Sequence, residues 1–247
     1  DLGEKSFYDH VISKKNKLNS YKSLIKLLIK MQKIKVKKLH KFEKFKIKIP
    51  KYTLSNLHKE SDLFFDWYLK YFLRNKKINK IKKILRLELN KVYKKLNYKN
   101  DTFVHRDFHI SNLMINKNKL GIIDSQDAII GNPLYDVASV IDDVRIKLPN
   151  KLQNQLLDFY HKNSKLKNDL IQKLKNDFDI LSVQRNLKIL GIFVRLYKRD
   201  NKDNYLKFLP YTWTLIEKRL QNPALKNLKI SFYKQLPIKK LKTSNRI

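Results

Sequence analysis

The chain has 247 residues and a formal net charge of +34, from 56 Lys+Arg against 22 Asp+Glu. That length holds one large or two modest domains. The absence of cysteine excludes disulfides and thiolate metal sites, and no run approaches the roughly twenty apolar residues of a membrane helix.

The chain opens on Asp1-Leu2-Gly3-Glu4, which is neither a signal peptide nor an initiator methionine. A processed or trimmed piece is expected, located in the cytoplasm. Ser6-Phe7-Tyr8-Asp9 opens a short helix. Tyr21, Leu24, Ile25, Leu28 and Met31 recur in steps of three and four, which predicts an amphipathic helix over 19–34 with Asn19 or Ser20 as its cap. Residues 35–53 read as a basic, irregular connection containing Pro50. A helix follows over 55–73, with Leu57, Phe64, Trp67, Tyr68 and Tyr71 as a core-facing stripe. Glu60 on it is an isolated acid, read as a surface residue, with a place at the site as the alternative. A further helix covers 77–97.

Phe103-Val104 then read as the end of a short buried strand, leading into His105-Arg106-Asp107-Phe108-His109-Ile110-Ser111-Asn112. This is H-R-D-x-x-x-x-N, the catalytic-loop pattern of kinase-like phosphotransferases. Two short apolar runs, Leu113–Ile115 and Leu120–Ile123, flank the polar turn Lys117-Asn118-Lys119 and predict a β-hairpin. Asp124 closes the second run, so the hairpin brings Asn112 and Asp124 to one end. Phosphoryl transfer needs an acceptor hydroxyl held in line and divalent metal to neutralise developing charge. Asp107 suits the proton-accepting carboxylate. Asn112 and Asp124 offer the oxygen ligands that Mg²⁺ prefers. A His-Arg-Asp loop that only caps a helix does not account for Asn and Asp in register. His105 is read as holding the loop backbone.

Beyond the hairpin, Gly131-Asn132-Pro133 starts a helix over 133–147, with Asn132 as cap. Asp136 near its start is assigned to structure, accepting hydrogen bonds from the catalytic loop. Helices follow over 151–163, 168–199 and 204–220. The long one is given Leu170, Leu174, Phe178, Leu181, Leu187, Leu190, Phe193, Val194 and Tyr197 as its buried stripe. Residues 222–247 read as a basic, loosely docked tail, so the expected domains are 1–221, a kinase-like lobe, and 222–247. The fold class is α+β: a protein-kinase-like C-lobe, mostly helical, with a small catalytic hairpin.

The lysines fall mostly on polar helix faces, as codon bias in an AT-rich genome produces; nucleic-acid binding is the competing reading of the charge. The four glycines allow no G-x-G-x-x-G and no P-loop.

Four segments carry a family resemblance. They are Leu63-Phe64-Phe65-Asp66-Trp67-Tyr68-Leu69, the His105–Met114 loop, Asp124-Ser125-Gln126-Asp127-Ala128 with Tyr135-Asp136, and Gln184-Arg185-Asn186-Leu187-Lys188-Ile189-Leu190-Gly191-Ile192-Phe193. On these the chain resembles the aminoglycoside phosphotransferase / choline kinase superfamily. Within it, it looks most like the bacterial N-acetylmuramate/N-acetylglucosamine anomeric kinases of cell-wall sugar recycling. The resemblance implies an ATP- and Mg²⁺-dependent kinase with Asp107 as base and Asn112 and Asp124 as metal ligands. Ser125 stands where the family usually has an aromatic. The resemblance also implies an N-lobe with the nucleotide-pairing lysine, which this chain is expected to lack, and without which it is an incomplete kinase. A degenerate gene product, or a basic nucleic-acid binder on the same scaffold, is the alternative.

For the acceptor, an aminoglycoside wants an acidic pocket, which the lysine excess disfavours. Choline wants an aromatic cage, and the aromatics here fit core spacing. The carboxylate of N-acetylmuramate suits an arginine, with Arg185 as candidate. Gln126 and Asp127 are candidates for a sugar hydroxyl, with a structural hydrogen bond as the equal alternative. Choline, homoserine and a drug remain as other acceptors.

Overall fold

The computed structural model describes residues 5–35, 40–42, 45–73, 77–116 and 119–242. In chain order the elements are β1 (Lys5–Ser6), α1 (Phe7–Val11), α2 (Leu18–Gln32), β2 (His40–Phe42), β3 (Phe45–Ile47) and α3 (Leu54–Leu63). A π-helical segment (Phe64–Leu69) leads to α4 (Lys70–Leu73) and α5 (Ile78–Tyr93). Then come β4 (Thr102–Val104), a 3-10 turn (Ile110–Asn112), β5 (Leu113–Asn116), β6 (Lys119–Ile122), β7 (Ile129–Gly131), α6 (Leu134–Ile141) and α7 (Asn150–Asn163). The chain continues through α8 (Ile171–Asp200), a 3-10 segment (Asp203–Phe208), α9 (Leu209–Arg219), a 3-10 turn (Pro223–Leu225), α10 (Lys226–Gln235) and α11 (Ile238–Lys242). The sheets are small and antiparallel: β1-β5-β6, β2-β3 and β4-β7. The expected mixed class, mostly helical with a small hairpin, is the class observed. The connection read as irregular over 35–53 holds the β2-β3 hairpin. The chain divides into two compact units, one from 1–52 with 97–178, the other from 53–96 with 179–247.

In the first unit, Ser6 and Asp9 form a reciprocal cap on α1: the Ser6 hydroxyl accepts from the Asp9 amide and the Asp9 carboxylate from the Ser6 amide, both at 3.2 Å. Phe7 on α1 meets Tyr21 of α2 edge-on at 5.7 Å. Tyr21, Leu24, Ile25 and Leu28 are fully buried, as the three-four spacing predicts. The predicted cap at Asn19 or Ser20 falls inside the helix. Asn16 stands two residues earlier and takes the Leu18 amide at 3.0 Å, so the first turn forms sooner. Gln32 ends α2 by donating to the Pro133 carbonyl at 2.7 Å and accepting from the Tyr160 hydroxyl at 2.8 Å.

Strands β4 and β7 pair as Val104↔Ile129 and Thr102↔Gly131. A Cβ at Gly131 would sit 3.2 Å from Val104 Cγ2, tighter than ordinary contact, so a side chain there would require the Val104 methyl to give by a few tenths of an ångström. Asp177, fully buried, accepts from the Asn97 amide and side chain, the Tyr98 amide and Asn132 Nδ2, all within 3.0 Å. Asn132 in turn takes the Leu134 amide at 3.0 Å, while Pro133 occupies the N-cap position, so α6 starts one residue later than predicted. All eight residues of α6 are buried, the mark of a helix surrounded by protein. The helix ends at Ile141 instead of 147. Asp143 accepts from the Arg145 amide at 3.0 Å, and this local bond competes with continuing the helical ladder.

In the second unit, Thr53 and Asn56 cap α3 reciprocally. The single helix predicted over 55–73 carries the π-helical segment at its centre, an insertion that shifts the register of everything after it. Phe64, Phe65, Tyr68 and Leu69 are therefore fully buried, while Trp67 and Tyr71, read as stripe residues, are half-buried. Tyr68 stacks on Phe64 at 5.5 Å and accepts from Trp213 Nε1 at 2.7 Å. Glu60 is corrected from a surface role: it is 6% exposed and accepts from Gln184 Nε2 at 2.9 Å and Lys188 Nζ at 3.4 Å. A Cβ on Gly191 would lie 2.3 Å from the Leu63 backbone; α8 crosses α3 there with no room for a side chain.

Two further expectations are corrected. Leu170, placed on the buried stripe of α8, is 70% exposed, because it precedes the helix and does not share its phase. The loosely docked tail is helical through Lys242: Leu225, Leu228 and Phe232 are fully buried, Leu236, Ile238 and Leu241 nearly so, and α10 packs on α5. The steps of three and four at 225, 228 and 232 give one apolar side, and the lysines between them occupy the other. The predicted helix over 204–220 starts as a 3-10 segment and becomes α9 at Leu209, with Pro210 in the first turn, where its missing amide costs nothing.

Candidate active site

The loop His105–Asn112 joins β4 to β5 within the first unit. Its first half is held by Asp136, one turn into α6. Asp136 is fully buried and accepts the His105 amide at 2.7 Å and the Arg106 amide at 3.0 Å. Arg106 takes φ = 72°, a left-handed conformation that costs a non-glycine residue roughly 1–2 kcal/mol. Two charge-assisted bonds of about 1.5–3 kcal/mol each offset that. Arg106 Nη1 also donates to the Asp127 carbonyl at 3.4 Å.

The second half turns back on itself. The His109 amide donates to the Asp107 carbonyl at 2.9 Å and the Asn112 amide to the His109 carbonyl at 2.9 Å. Asn112 Nδ2 donates to the Asp107 carbonyl at 3.2 Å. Strand register then places Leu113 opposite Ile122, and the Ile123 amide donates to the Asn112 carbonyl at 3.1 Å. Asp124 follows at φ = 70°, exposed to solvent; aspartate tolerates this left-handed geometry better than most side chains. Asp107, Asn112 and Asp124 thus share the open end of one hairpin.

The donor set fits a magnesium ion. Asn112 spends its side-chain nitrogen on the loop, so its side-chain oxygen is the atom it could offer a metal, and Asp124 at the same end of the hairpin offers a carboxylate. Mg²⁺ uses one or two carboxylates and leaves its other positions to water and phosphate. Among the described residues no group of three His, Cys, Asp or Glu side chains is arranged to hold a metal.

His105 is buried at the root of the loop. Burial holds its pKa below the usual histidine range; the Asp107 carboxylate, the Ile123 backbone and the Asp124 carboxylate pull upward without prevailing. Gln126 and Asp127 are exposed on the turn between β6 and β7, which is closed by the Ala128 amide donating to the Ser125 carbonyl at 3.1 Å. Arg185 is not brought together with these residues in one unit. It lies on the part of α8 in the second unit and is 5% exposed. Asp143 and Arg145, which reach Ile110 and His109 of the loop, are polar residues that sequence reasoning missed. The signal was an acidic pair, Asp142-Asp143, directly after an apolar helix, where a buried carboxylate needs amide donors.

Comparison with known proteins places the class. Residues 2–170 match the model of the phosphotransferase enzyme family, APH, and the chain belongs to that family. Among characterised relatives it is similar to the N-acetylmuramate/N-acetylglucosamine kinase of Pseudomonas aeruginosa, 29% identical over 231 residues, covering 89% of this chain and 64% of the relative. The kinases of the same description from Neisseria meningitidis serogroup B and Pseudomonas putida are 29% and 26% identical, over 66% and 92% of this chain and 50% and 66% of their own lengths. The chain thus spans half to about two thirds of the length of these relatives. A crystal structure of a spectinomycin phosphotransferase in complex with ADP and spectinomycin aligns over 94% of this chain and 69% of that one, at 15% identity and a TM-score of 0.48.

Proposed function

We propose that this chain carries the catalytic centre of an ATP- and Mg²⁺-dependent phosphotransferase acting on a small-molecule hydroxyl, most closely the anomeric hydroxyl of an amino sugar such as N-acetylmuramate or N-acetylglucosamine. The observation that supports the reading is the hairpin register, Leu113 opposite Ile122, which leaves Asn112 and Asp124 flanking one end, with Asn112 Nδ2 bonded to the Asp107 carbonyl. Family membership supplies the reaction class, and the relatives' names supply the sugar. Cell-wall sugar recycling is the setting this assigns.

In this reading the Asp107 carboxylate orients the acceptor hydroxyl and takes its proton as the bond to phosphorus forms. Asn112 Oδ1 and Asp124 hold the metal ion, whose charge offsets that building up on the transferring phosphoryl group. His105, kept neutral by burial, packs the root of the loop. Asp136 fixes the backbone on which Asp107 stands. Gln126 and Asp127, exposed next to Asp124, are assigned to acceptor hydroxyls.

Most of the positive charge lies outside the segment that carries these residues. Residues 97–178, which contain every residue named here, hold 12 Lys+Arg and 10 Asp, a net of +2 out of +34. A polyanion is drawn to the rest of the chain and not to this segment.

The test follows ATP consumption by the protein, expressed from its full coding sequence, with N-acetylmuramate, N-acetylglucosamine, choline, homoserine and kanamycin. Turnover of the amino sugars, lost in Asp107→Ala with folding intact, is the expected result. Turnover of a different acceptor alone would discard the sugar and keep the chemistry. No turnover of any would discard both.

A further inference from the structure

The loop is held from both sides of Asp107, and the second anchor comes from outside the catalytic motif. Asp143, in the turn that ends α6, is 1% exposed. Its Oδ2 accepts the Ile110 amide at 3.0 Å. Its Oδ1 accepts the Arg145 amide at 3.0 Å and Arg145 Nη1 at 3.1 Å. The same guanidinium reaches the loop itself: Nη2 donates to His109 Nε2 at 3.4 Å. Arg145 is largely covered, with 18% of its side chain exposed.

We infer that Asp143 and Arg145 are positioning residues that clamp the His109–Asn112 half of the catalytic loop, and so set where Asp107 and the Asn112 carbonyl oxygen stand. Asp136 on α6 ties the amides of His105 and Arg106, the two residues before Asp107. Asp143, just past its end, ties the amide of Ile110, three residues after Asp107. The helix between them is buried throughout, so both anchors stand on one rigid element. Asp107 is therefore suspended between two carboxylates whose spacing is fixed by α6, and not by the loop's own conformation.

Arg145 has two tasks in this strap. It fixes the rotamer of Asp143 by occupying the oxygen that does not face Ile110. It also holds the His109 ring as acceptor, and the His109 carbonyl in turn receives the Asn112 amide. A guanidinium can make both contacts because its donors diverge from one plane. A glutamine can make one, and a lysine keeps the charge without the fork.

The catalytic consequence rests on the phosphotransferase reading above, but the strap itself does not. The experiment therefore reads both, in wild-type protein, Arg145→Gln, Arg145→Lys and Asp143→Asn. Hydrogen exchange is measured on peptides spanning residues 105–112. Kinetics are measured with Mg²⁺·ATP and the acceptor the wild type turns over, corrected for the folded fraction. Arg145→Gln is expected to speed exchange at Ile110 to Asn112 and to lower kcat by roughly ten- to a hundredfold, with KM for ATP within about threefold of wild type. Arg145→Lys is expected to recover part of kcat. Asp143→Asn, which keeps an acceptor for Ile110, is expected to lie between. Unchanged exchange together with unchanged kcat per folded molecule, whatever the loss of stability, would overturn the inference. A wild-type protein that turns over no acceptor would remove the phosphotransferase reading. The exchange rates would then decide the strap alone: faster in Arg145→Gln supports it, unchanged overturns it.

Discussion

Replacing Asp136 by asparagine tests how the loop is held. The carboxylate takes two backbone amides, at 2.7 and 3.0 Å, with no exposure to water. Asparagine keeps one acceptor oxygen and turns its NH₂ toward the second amide. One charge-assisted bond is lost and one buried N–H is left facing another donor. The lost bond amounts to about 1.5–3 kcal/mol, and stranding the amide adds about 1–3 kcal/mol. Partial relaxation brings the expected total to roughly 2–4 kcal/mol. For a chain of this size each kcal/mol lowers Tm by about 2–4 °C, so a drop on the order of 4–16 °C is expected in a thermal melt. Arg106, at φ = 72°, should relax once its amide is released, and its exchange should rise more than that of the flanking strand β4. The activity of the remaining folded protein should fall with it. A Tm within 2 °C of wild type, with unchanged exchange at residues 105 and 106, would refute this account of the loop.

Other predictions follow from the same structure. Asn112→Ala should raise the Mg²⁺ concentration needed for half-maximal turnover, with a Tm shift under about 3 °C, because its side chain makes a single loop bond; an unchanged Mg²⁺ requirement would remove it from the metal site. Phe232→Ala should cost about 3–5 kcal/mol in urea unfolding, since the ring is fully buried in α10; a loss under about 1 kcal/mol would return 222–242 to a loose tail. Gly191→Ala should destabilise by about 3 kcal/mol or more, given 2.3 Å to the Leu63 backbone, and a stable variant would contradict the α3–α8 crossing. Burial raises the pKa of Tyr68 and Tyr160 well above the ordinary value of 10.0. Above pH 10 the unfolded chain releases these protons while the folded chain keeps them, so each tyrosine lowers stability by about 1.4 kcal/mol per pH unit there and contributes in full below it. Tyr68→Phe should flatten the fall in urea midpoint between pH 9 and pH 11; an identical slope in the variant would refute it.

The catalytic hairpin was legible because local patterns specify it completely. His105–Asn112 is a contiguous motif, the turn at 117–119 is polar, and the apolar runs on either side have strand length, so the pattern alone puts Asn112 and Asp124 at one end of a hairpin; how the loop is held depends on distant residues. The short helix opening at Ser6 was legible for the same reason. The π-helical segment at Phe64–Leu69 was not, because Phe-Phe-Asp-Trp-Tyr-Leu suits an ordinary helix equally well. Packing of Phe64, Phe65, Tyr68 and Leu69 selects the wider turn. The tail was misread because lysine dominated its composition, although Leu225, Leu228 and Phe232 carried the period.

Sequence by itself determined most of the helices and the hairpin, since each depends on residues within a few positions of one another. Tertiary structure decided what lies around them. Glu60 became a buried partner of Gln184 and Lys188 because α8 returns 124 residues later to cover it. Asp143 found the Ile110 amide across 33 residues, and Asp177 found Asn97 across 80. A buried carboxylate must be met by donors, and the sequence states that requirement. Only the fold determines which amides meet it.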